Sequence, residues 1–207
     1  MAMPVKMAES VKLGIPGVSV PQGTHLCGFF RGREERDDLV FPYLHEGLRS
    51  GDKCLCAFEA ADREALHDEV SLKVDLASAG EQLDIILPHD VYVELGEFSV
   101  PDTLGYWDTW ATSSLAGGGF SAARVVGEMT WAVTQVIGAA NLIRYECELN
   151  RFVPRYPLVM VCLYDLDHFR GDLLVNIMKT HPKVLMGSTV LDNLYYVPPD
   201  ELVATRQ

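Results

Sequence analysis

Short apolar runs alternate with longer amphipathic segments through most of the chain. Five runs are mainly apolar, which is typical of buried strands, and they cover residues 25–30, 54–58, 83–87, 123–129 and 158–164. Shorter candidates for extended structure lie at residues 91–95, 184–185 and 193–197. Apolar positions three or four apart, with capping residues at the ends, predict helices between these runs, at residues 34–48, 62–78, 101–115, 131–152 and 167–180.

This alternation predicts the fold class. Strands that carry no polar face and alternate with helices are typical of a parallel sheet with helices on both sides. The expected fold is therefore α/β, with three layers, α/β/α, around a mainly parallel sheet. Pro42 lies inside the first predicted helix, so that helix is expected either to start late or to kink there.

The domain organisation follows from the same pattern. Residues 1–22 are interrupted by proline and glycine, which predicts a loose N-terminal arm. We find no internal repeat and no long linker in the remainder, so residues 23–207 are expected to form one domain.

Composition and charge exclude several partners. The formal net charge is −12 and no basic stripe is present, so neither nucleic acid nor an anionic membrane is expected to bind. The five cysteines lie in apolar runs and are odd in number, which argues against a disulfide framework. Neither a signal peptide nor an apolar stretch of about 18 residues is present. By elimination, we expect a cytoplasmic protein.

The segment after the first apolar strand is where a phosphate-binding loop would lie. A P-loop requires Gly-Lys-Ser/Thr at the start of the helix, whereas Gly32 is followed by Arg33, Glu34 and Glu35. An intact P-loop is therefore excluded, although Arg31 and Arg33 could still bind an anion. Three glycines at 117–119 follow a helix and precede a strand, which favours a helix C-cap over a phosphate cradle.

Candidate binding residues lie where strands end, because ligands of open α/β sheets bind at the carboxyl ends of the strands. Glu128 ends one such strand and Asp165 follows another, although Glu128 could instead cap the next helix. Trp131 and Tyr164 stand near the same ends and could line an apolar pocket or simply pack in the core.

A metal or haem site is the second chemical possibility. His25 and Cys27 share one face of a strand and could ligate iron or another metal, or could be an ordinary core pair. Cys54 and Cys56 repeat that spacing and could oppose them in a zinc site. On the helix over residues 131–152, Glu146 shares a face with Asn150. His181 is expected to interact with the C-terminal dipole of its helix.

Several segments in order carry a family resemblance: residues 25–30 (HLCGFF), 47–55 (GLRSGDKCL), 124–131 (RVVGEMTW), 145–146 (YE), 149–150 (LN), 162–165 (CLYD), 181–182 (HP) and 193–199 (NLYYVPP). Together they resemble the MEDS family, the methanogen/methylotroph DcmR-type sensory domain. The resemblance covers about residues 24–200. It implies a RecA/KaiC-like fold with an eroded nucleotide loop, in which Glu128 falls near the Walker B acid.

The resemblance also implies a function. MEDS domains are viewed as sensors of small, hydrocarbon-derived ligands, and they often stand beside a DNA-binding or kinase domain. The chain shows neither neighbour, so we expect it to signal through a partner protein or by forming a homodimer.

The leading hypothesis is a small-molecule-binding sensory domain without ATPase activity. Its expected ligand-binding residues are the strand-end positions and those matched to the family: His25, Cys27, Phe30, Arg31, Glu128, Trp131, Glu146, Tyr164 and Asp165. The alternative is a haem- or metal-binding protein or an enzyme that uses His25, Cys27 and Glu128. A degenerate nucleotide binder and a purely structural partner-binding domain also remain open. The sequence does not identify the cofactor.

Overall fold

The computed structural model describes residues 9–61, 63–92, 98–135 and 137–204. The strands are β1 (Ser10–Lys12), β2 (Ser19–Pro21), β3 (His25–Phe30), β4 (Lys53–Ala57), β5 (Leu83–Ile86), β6 (Ala123–Glu128), β7 (Leu158–Asp165), β8 (Lys183–Met186) and β9 (Thr189–Asp192). The α-helices are α1 (Gly32–Ser50), α2 (Arg63–Ser71), α3 (Leu76–Ala79), α4 (His89–Tyr92), α5 (Val100–Thr112), α6 (Trp131–Thr134), α7 (Ala139–Phe152), α8 (Gly171–Lys179) and α9 (Pro199–Ala204).

Seven strands form one sheet in the order β5-β4-β6-β7-β3-β8-β9. All neighbouring pairs are parallel except β8 and β9, which form an antiparallel hairpin at the edge. The central strands β6 and β7 are buried along their whole length, which explains why they are apolar runs in the sequence.

The two sides of the sheet form two separate apolar clusters. Along β7, Met160, Cys162 and Tyr164 pack with α5 and α7, whereas Val161 and Leu163 pack with α1 and α2. Successive side chains of a strand point to opposite faces, so each central strand contributes to both layers. The predicted three-layer α/β/α fold with a mainly parallel sheet is confirmed.

Helix α1 starts at Gly32 and continues past Pro42 to Ser50, so the expected late start is wrong. It ends at Gly51, which has φ +78° and donates its N–H to carbonyls of the last turn. A glycine adopts this left-handed conformation without the Cβ penalty of other residues.

Two predicted helices are each divided in the structure. The segment 131–152 breaks into α6 and α7 at Gly138, whose φ of +83° is incompatible with a continuing helix. The segment 62–78 breaks into α2 and α3, and Asp75 caps α3 by accepting the N–H of Ser78. Asp62, the expected cap, lies outside the described residues.

Some boundaries at the chain's later elements also differ from expectation. Helix α8 begins at Gly171 instead of residue 167, and the last strand is β9 instead of residues 193–197. Residues 91–92 end the short helix α4 and do not form a strand; the rest of that predicted strand, 93–95, lies outside the described residues.

Part of the N-terminal segment, which was predicted to be a loose arm, forms a small β-hairpin that packs on the domain. Strands β1 and β2 pair antiparallel, and Val11, Leu13 and Val20 are buried in the cluster beneath α1. This small hairpin therefore extends the core on the α1 side of the sheet. No described helix is both long and apolar enough to cross a membrane.

Candidate functional site

Four polar side chains from four different elements meet inside the domain on the α7 side of the sheet. They are His25 at the start of β3, Glu146 on α7, Cys162 in the middle of β7 and His181 just before β8. All four are buried, and their potential ligand atoms lie within 4.8 Å of one another. We call these four residues the Glu146 cluster.

One carboxylate oxygen, Glu146 Oε2, is the centre of the Glu146 cluster. It lies 3.2 Å from His25 Nε2 and 3.2 Å from His181 Nε2. The sulfur of Cys162 lies 3.3 Å from His25 Nε2. The other carboxylate oxygen, Oε1, accepts a hydrogen bond of 2.6 Å from the Tyr164 hydroxyl.

Burial dominates the electrostatics of the Glu146 cluster. It lowers the pKa of His25, and the nearby His181 lowers it further, against the opposing influence of Glu146. Burial also opposes the charge on Glu146, and the pKa of this carboxyl lies below its ordinary value only where His181 and His25 supply donors or positive charge to it. The pKa of the Cys162 thiol is raised by burial and by the nearby carboxylate.

Several aromatic rings adjoin this region at the end of β6. Trp131 stacks on Tyr92 with ring centroids 4.1 Å apart, and Phe98 packs against it at 5.3 Å. Behind them, Trp107 donates its indole N–H to the hydroxyl of Tyr145 at 2.9 Å. The indole N–H of Trp131 is buried and finds no acceptor within the described residues.

An apolar pocket of about 190 Å³ is formed partly by the residues that follow Trp131 in the sequence. It lies between α6, α7 and α8 and is lined by Ala132, Val133, Gly138, Ala139, Leu142 and Leu173. Its volume is below the usual range for drug-sized ligands, so it suits a molecule of only a few heavy atoms.

The carboxyl end of β6 carries a different kind of network. Glu128 Oε2 lies 3.3 Å from the guanidinium of Arg36, and its Oε1 accepts a hydrogen bond of 3.0 Å from the Thr130 hydroxyl. Arg36 also pairs with Asp37 and Glu69. Although burial opposes its charge, these carboxylates hold the pKa of Arg36 above its ordinary value. We call this the Glu128 network.

Neighbouring strand ends carry the remaining expected residues. Asp165 accepts hydrogen bonds from the backbone N–H of Asp167 and from His168 Nδ1. Arg31 is largely exposed and lies 3.6 Å from Asp167. Phe30 points to the other side of the sheet, where it is buried in the cluster beneath α1.

The turn between β3 and α1 is the position that a P-loop would occupy in a nucleotide-binding domain of this fold. The backbone N–H of Arg31 donates to the carboxylate of Glu35 at 2.7 Å. A pocket of about 620 Å³ beside it is lined partly by Glu35 and Asp38. These carboxylates would repel a phosphate group, and one of them already uses an N–H group there.

The structure brings together some of the expected site residues and separates others. His25, Glu146 and Tyr164 meet in the Glu146 cluster, and Cys27 lies beside Cys162 in the β3–β7 register. Trp131 belongs to the aromatic group, and Glu128 to the separate Glu128 network. Phe30, Arg31 and Asp165 make the separate contacts described above.

Sequence reasoning did not place Cys162 or His181 in the site. Cys162 has the same strand parity as Tyr164, and this parity was the available signal. His181 was expected to interact with the end of its helix. Its Nδ1 does contact the carbonyl of Ile177 in α8, but its Nε2 faces Glu146.

Two metal-site expectations are not met by the geometry. Cys54 and Cys56 pack on the α1 side of the sheet, whereas Cys27 packs on the α7 side, so the two pairs do not face each other. Within the described part of the chain, the group of potential metal ligands contains His25 but neither Cys27 nor Glu128.

The sheet order, the layered helices and the helix that follows β3 define a RecA-like α/β domain. The fold is similar to the crystal structure of a KaiC-like protein from the hyperthermophilic archaeon Pyrococcus horikoshii OT3, with a TM-score of 0.61 and 14% sequence identity. The match covers 86% of this chain and 80% of that one.

The sequence assigns the family. Residues 24–182 match the model of the MEDS domain, described as the methanogen/methylotroph, DcmR sensory domain, and the chain belongs to this family. It is 26% identical over 180 residues to the transcriptional repressor DcmR of Methylorubrum extorquens strain DM4. The match spans 86% of this chain but 65% of the length of that repressor. These relationships support a sensory or regulatory role.

Proposed function

We propose that this MEDS domain binds a small organic molecule and reports its presence to a protein partner or through dimerisation, without hydrolysing ATP. Family membership supports the sensory role, and the related repressor indicates that such a domain can serve gene regulation. The family resemblance also favours a small, hydrocarbon-derived ligand.

The buried indole N–H of Trp131 is the observation that carries this proposal. A buried donor without an acceptor costs about 1–3 kcal/mol, and Trp131 Nε1 has no acceptor within the described residues. Aromatic walls with one free polar group are typical of sites for small organic ligands. A ligand with one acceptor atom would satisfy the indole while its apolar part contacts the rings.

The pocket lined by Ala132 and Val133, which follow Trp131 in the chain, supports a small ligand. Its volume of about 190 Å³ and its apolar lining match a short carbon chain with a single polar group. Binding there would contact α6, α7 and α8 together, so the ligand would favour one relative arrangement of these helices.

The absence of ATPase activity is supported by two features. The helix that follows β3 lacks Gly-Lys-Ser/Thr, and Glu35 accepts the Arg31 N–H near the position a phosphate would take. Glu128, near the expected Walker B position, is held by Arg36 and Thr130. Neither feature favours the binding of Mg²⁺ and a nucleoside triphosphate.

Output through a protein contact is supported by the edge of the sheet. The exposed side chains of Leu191, Leu194 and Tyr195 lie on or just after the edge strand β9. Unpaired edge strands with exposed apolar residues are templates for association. Light scattering of the purified chain would separate dimerisation from association with another protein.

The binding proposal is tested by thermal unfolding with one- to four-carbon alcohols, ketones and esters as probes. A binding probe should raise the melting temperature and quench tryptophan fluorescence, because binding to the native state stabilises it. Mg²⁺-ATP should do neither and should not be hydrolysed.

Trp131→Phe keeps an aromatic ring but removes the N–H, so it should abolish the rise in melting temperature; fluorescence is not compared for this variant, because it lacks the indole. The matched control is Trp110→Phe, whose indole already donates to Asp84 at 2.7 Å. An unchanged response in Trp131→Phe, or hydrolysis of ATP by the wild type, would contradict the proposal.

A further inference from the structure

The Glu146 cluster contains two histidines whose tautomers are determined by their neighbours. Asn150 Nδ2 donates to the carbonyls of Glu146 and Thr180. Its Oδ1 is therefore the atom that faces His25, at 3.2 Å from Nδ1. Because an amide oxygen can only accept, His25 Nδ1 carries the proton and, in the neutral ring, Nε2 keeps a lone pair.

The same reasoning applies to His181. Its Nδ1 lies 2.9 Å from the carbonyl of Ile177, which can only accept. The hydroxyl of Thr180 lies 3.0 Å from Nδ1, but it donates its one proton to the Ile177 carbonyl at 2.7 Å, so towards the ring it can only accept. His181 Nδ1 is therefore protonated, and Nε2 of the neutral ring also presents a lone pair towards Glu146.

Lone pairs consequently converge inside the domain. Both Nε2 atoms lie 3.2 Å from Glu146 Oε2. Nevertheless, Oε2 and His181 Nε2 make no hydrogen bond within the described residues. Short distances without hydrogen-bond alignment are expected for ligand atoms arranged around a shared centre. An isolated arrangement of this kind is costly in a buried site.

A cation resolves this arrangement, and the ligand set indicates which kind. A proton can join His181 Nε2 to Oε2 while the Cys162 thiol donates to His25 Nε2, but His25 Nε2 then still lies 3.2 Å from the carboxylate oxygen with no proton between them. A metal ion can satisfy both nitrogens, the carboxylate and the Cys162 sulfur at once. Two imidazoles, one thiolate and one carboxylate suit Zn²⁺ and similar transition-metal ions, whereas Mg²⁺ and Ca²⁺ prefer oxygen ligands.

The distances agree with a tetrahedral site. Bonds of about 2.0–2.3 Å in a tetrahedron place ligand atoms about 3.3–3.8 Å apart. Three of the six separations between ligand atoms are 3.2, 3.2 and 3.3 Å, close to this range, and all six are within 4.8 Å, so small side-chain shifts would complete the tetrahedron. We propose that His25, Glu146, Cys162 and His181 bind one divalent transition-metal ion of the Zn²⁺ type.

Neighbouring residues would orient these ligands. Asn150 and Ile177 hold the two imidazoles through their Nδ1 atoms, and Tyr164 holds the carboxylate through Oε1. Contacts of this kind position metal ligands in proteins. On binding, the Cys162 thiol releases its proton to the buffer and its sulfur forms the bond to the metal. The inference goes beyond the proposed function, because it does not depend on Trp131 or on an organic ligand.

Metal analysis of the 207-residue chain tests the proposal directly. Protein expressed in zinc-supplemented medium should carry about one zinc ion per folded chain after gel filtration. When the metal is exchanged for Co²⁺, the spectrum should show the intense visible bands of tetrahedral cobalt and a near-ultraviolet thiolate-to-cobalt band.

Variants assign the ligands. Cys162→Ser should lose the thiolate band, and Glu146→Gln or His181→Gln should lose most of the bound metal. Tyr164→Phe should weaken metal binding about 10–100-fold. Cys27→Ser is the matched control, because Cys27 is the register partner of Cys162 but lies outside the ligand set; it should keep both the metal and the spectrum. Circular dichroism identifies variants that do not fold.

Two outcomes would overturn the inference. The first is a folded wild-type chain that takes up neither zinc nor cobalt; protons alone would then hold the cluster together. The second is bound metal that persists in Cys162→Ser, Glu146→Gln and His181→Gln, which would place it elsewhere. The fluorescence response of Trp131 to the organic probes, measured on the same samples, reports separately on the proposed function.

Discussion

Glu128, at the end of β6, and Glu146, on α7, are both buried carboxylates, but their surroundings differ. Glu128 has a guanidinium from Arg36 on one oxygen and the Thr130 hydroxyl on the other. Glu146 has the Tyr164 hydroxyl on one oxygen, while the other faces two imidazole nitrogens without a hydrogen bond within the described residues. The first carboxylate is satisfied by the protein, and the second still requires a cation. Burial alone therefore does not mark a binding site; a buried carboxylate oxygen that lacks a hydrogen-bond donor does.

The largest effect is expected from breaking the Glu128 network. Arg36→Met removes the cation that lies among Glu128, Glu69 and Asp37. Leaving buried carboxylates without their partner should reduce the free energy of unfolding by about 3–5 kcal/mol. Urea denaturation measures this loss. Metal content should not change, and a loss of metal in folded Arg36→Met protein would show that the two regions are coupled.

The next largest effect concerns the Glu146 cluster. Zinc added to metal-free protein at about 100 times its dissociation constant should raise the free energy of unfolding by about 2.7 kcal/mol. Thermal or chemical denaturation with and without zinc measures it. Cys162→Ser should show a smaller gain and Cys27→Ser the full gain. Equal gains in both variants would contradict a Cys162 ligand.

A smaller difference in stability is expected between variants of two buried tryptophans, one whose indole N–H has an acceptor and one whose N–H has none within the described residues. Trp107→Phe removes the donor to Tyr145 and should cost about 1–3 kcal/mol. In Trp131→Phe the lost N–H has no acceptor within the described residues, so the cost should be smaller. Chemical denaturation of both variants without ligand compares them. A larger loss in Trp131→Phe would indicate that its N–H is bonded in the free protein.

The smallest effect is expected at the exposed strand end. Arg31 and Asp167 form an ion pair at 3.6 Å, with both side chains about two-thirds exposed. Surface pairs of this kind contribute about 0–1 kcal/mol, so Arg31→Ala should leave stability nearly unchanged. Its response to the organic probes should also match the wild type. A lost response would bring Arg31 into the binding site.

The fold was more predictable than the site. The strands at residues 25–30 and 158–164 were recognisable because central parallel strands are mainly apolar on both faces. Helix ends were less predictable: the break at Gly138 depends on a positive φ that a single glycine in a helical pattern does not reveal. At Pro42, of the two expected outcomes, the late start is wrong, since α1 begins at Gly32 and continues through the proline.

The candidate site was predictable only in part. His25 and Glu146 were expected as binding residues, and Glu128 was expected with them as a strand-end acid. The strand-end rule identifies residues near one edge of a sheet, but it does not show whether a local cation already satisfies them. Arg36 lies 92 positions from Glu128, and nothing in the sequence pairs the two.

The sequence by itself determined the alternation of apolar strands with helices, the missing Gly-Lys-Ser/Thr and the face of each strand on which a residue lies. These are local properties, because side-chain direction and loop chemistry depend on neighbours along the chain. Tertiary structure decided that β7 lies beside β3 and that α7 covers both. His25, Glu146, Cys162 and His181 are spread over more than 150 positions, and only the strand order and the packing of α7 bring their ligand atoms within 4.8 Å.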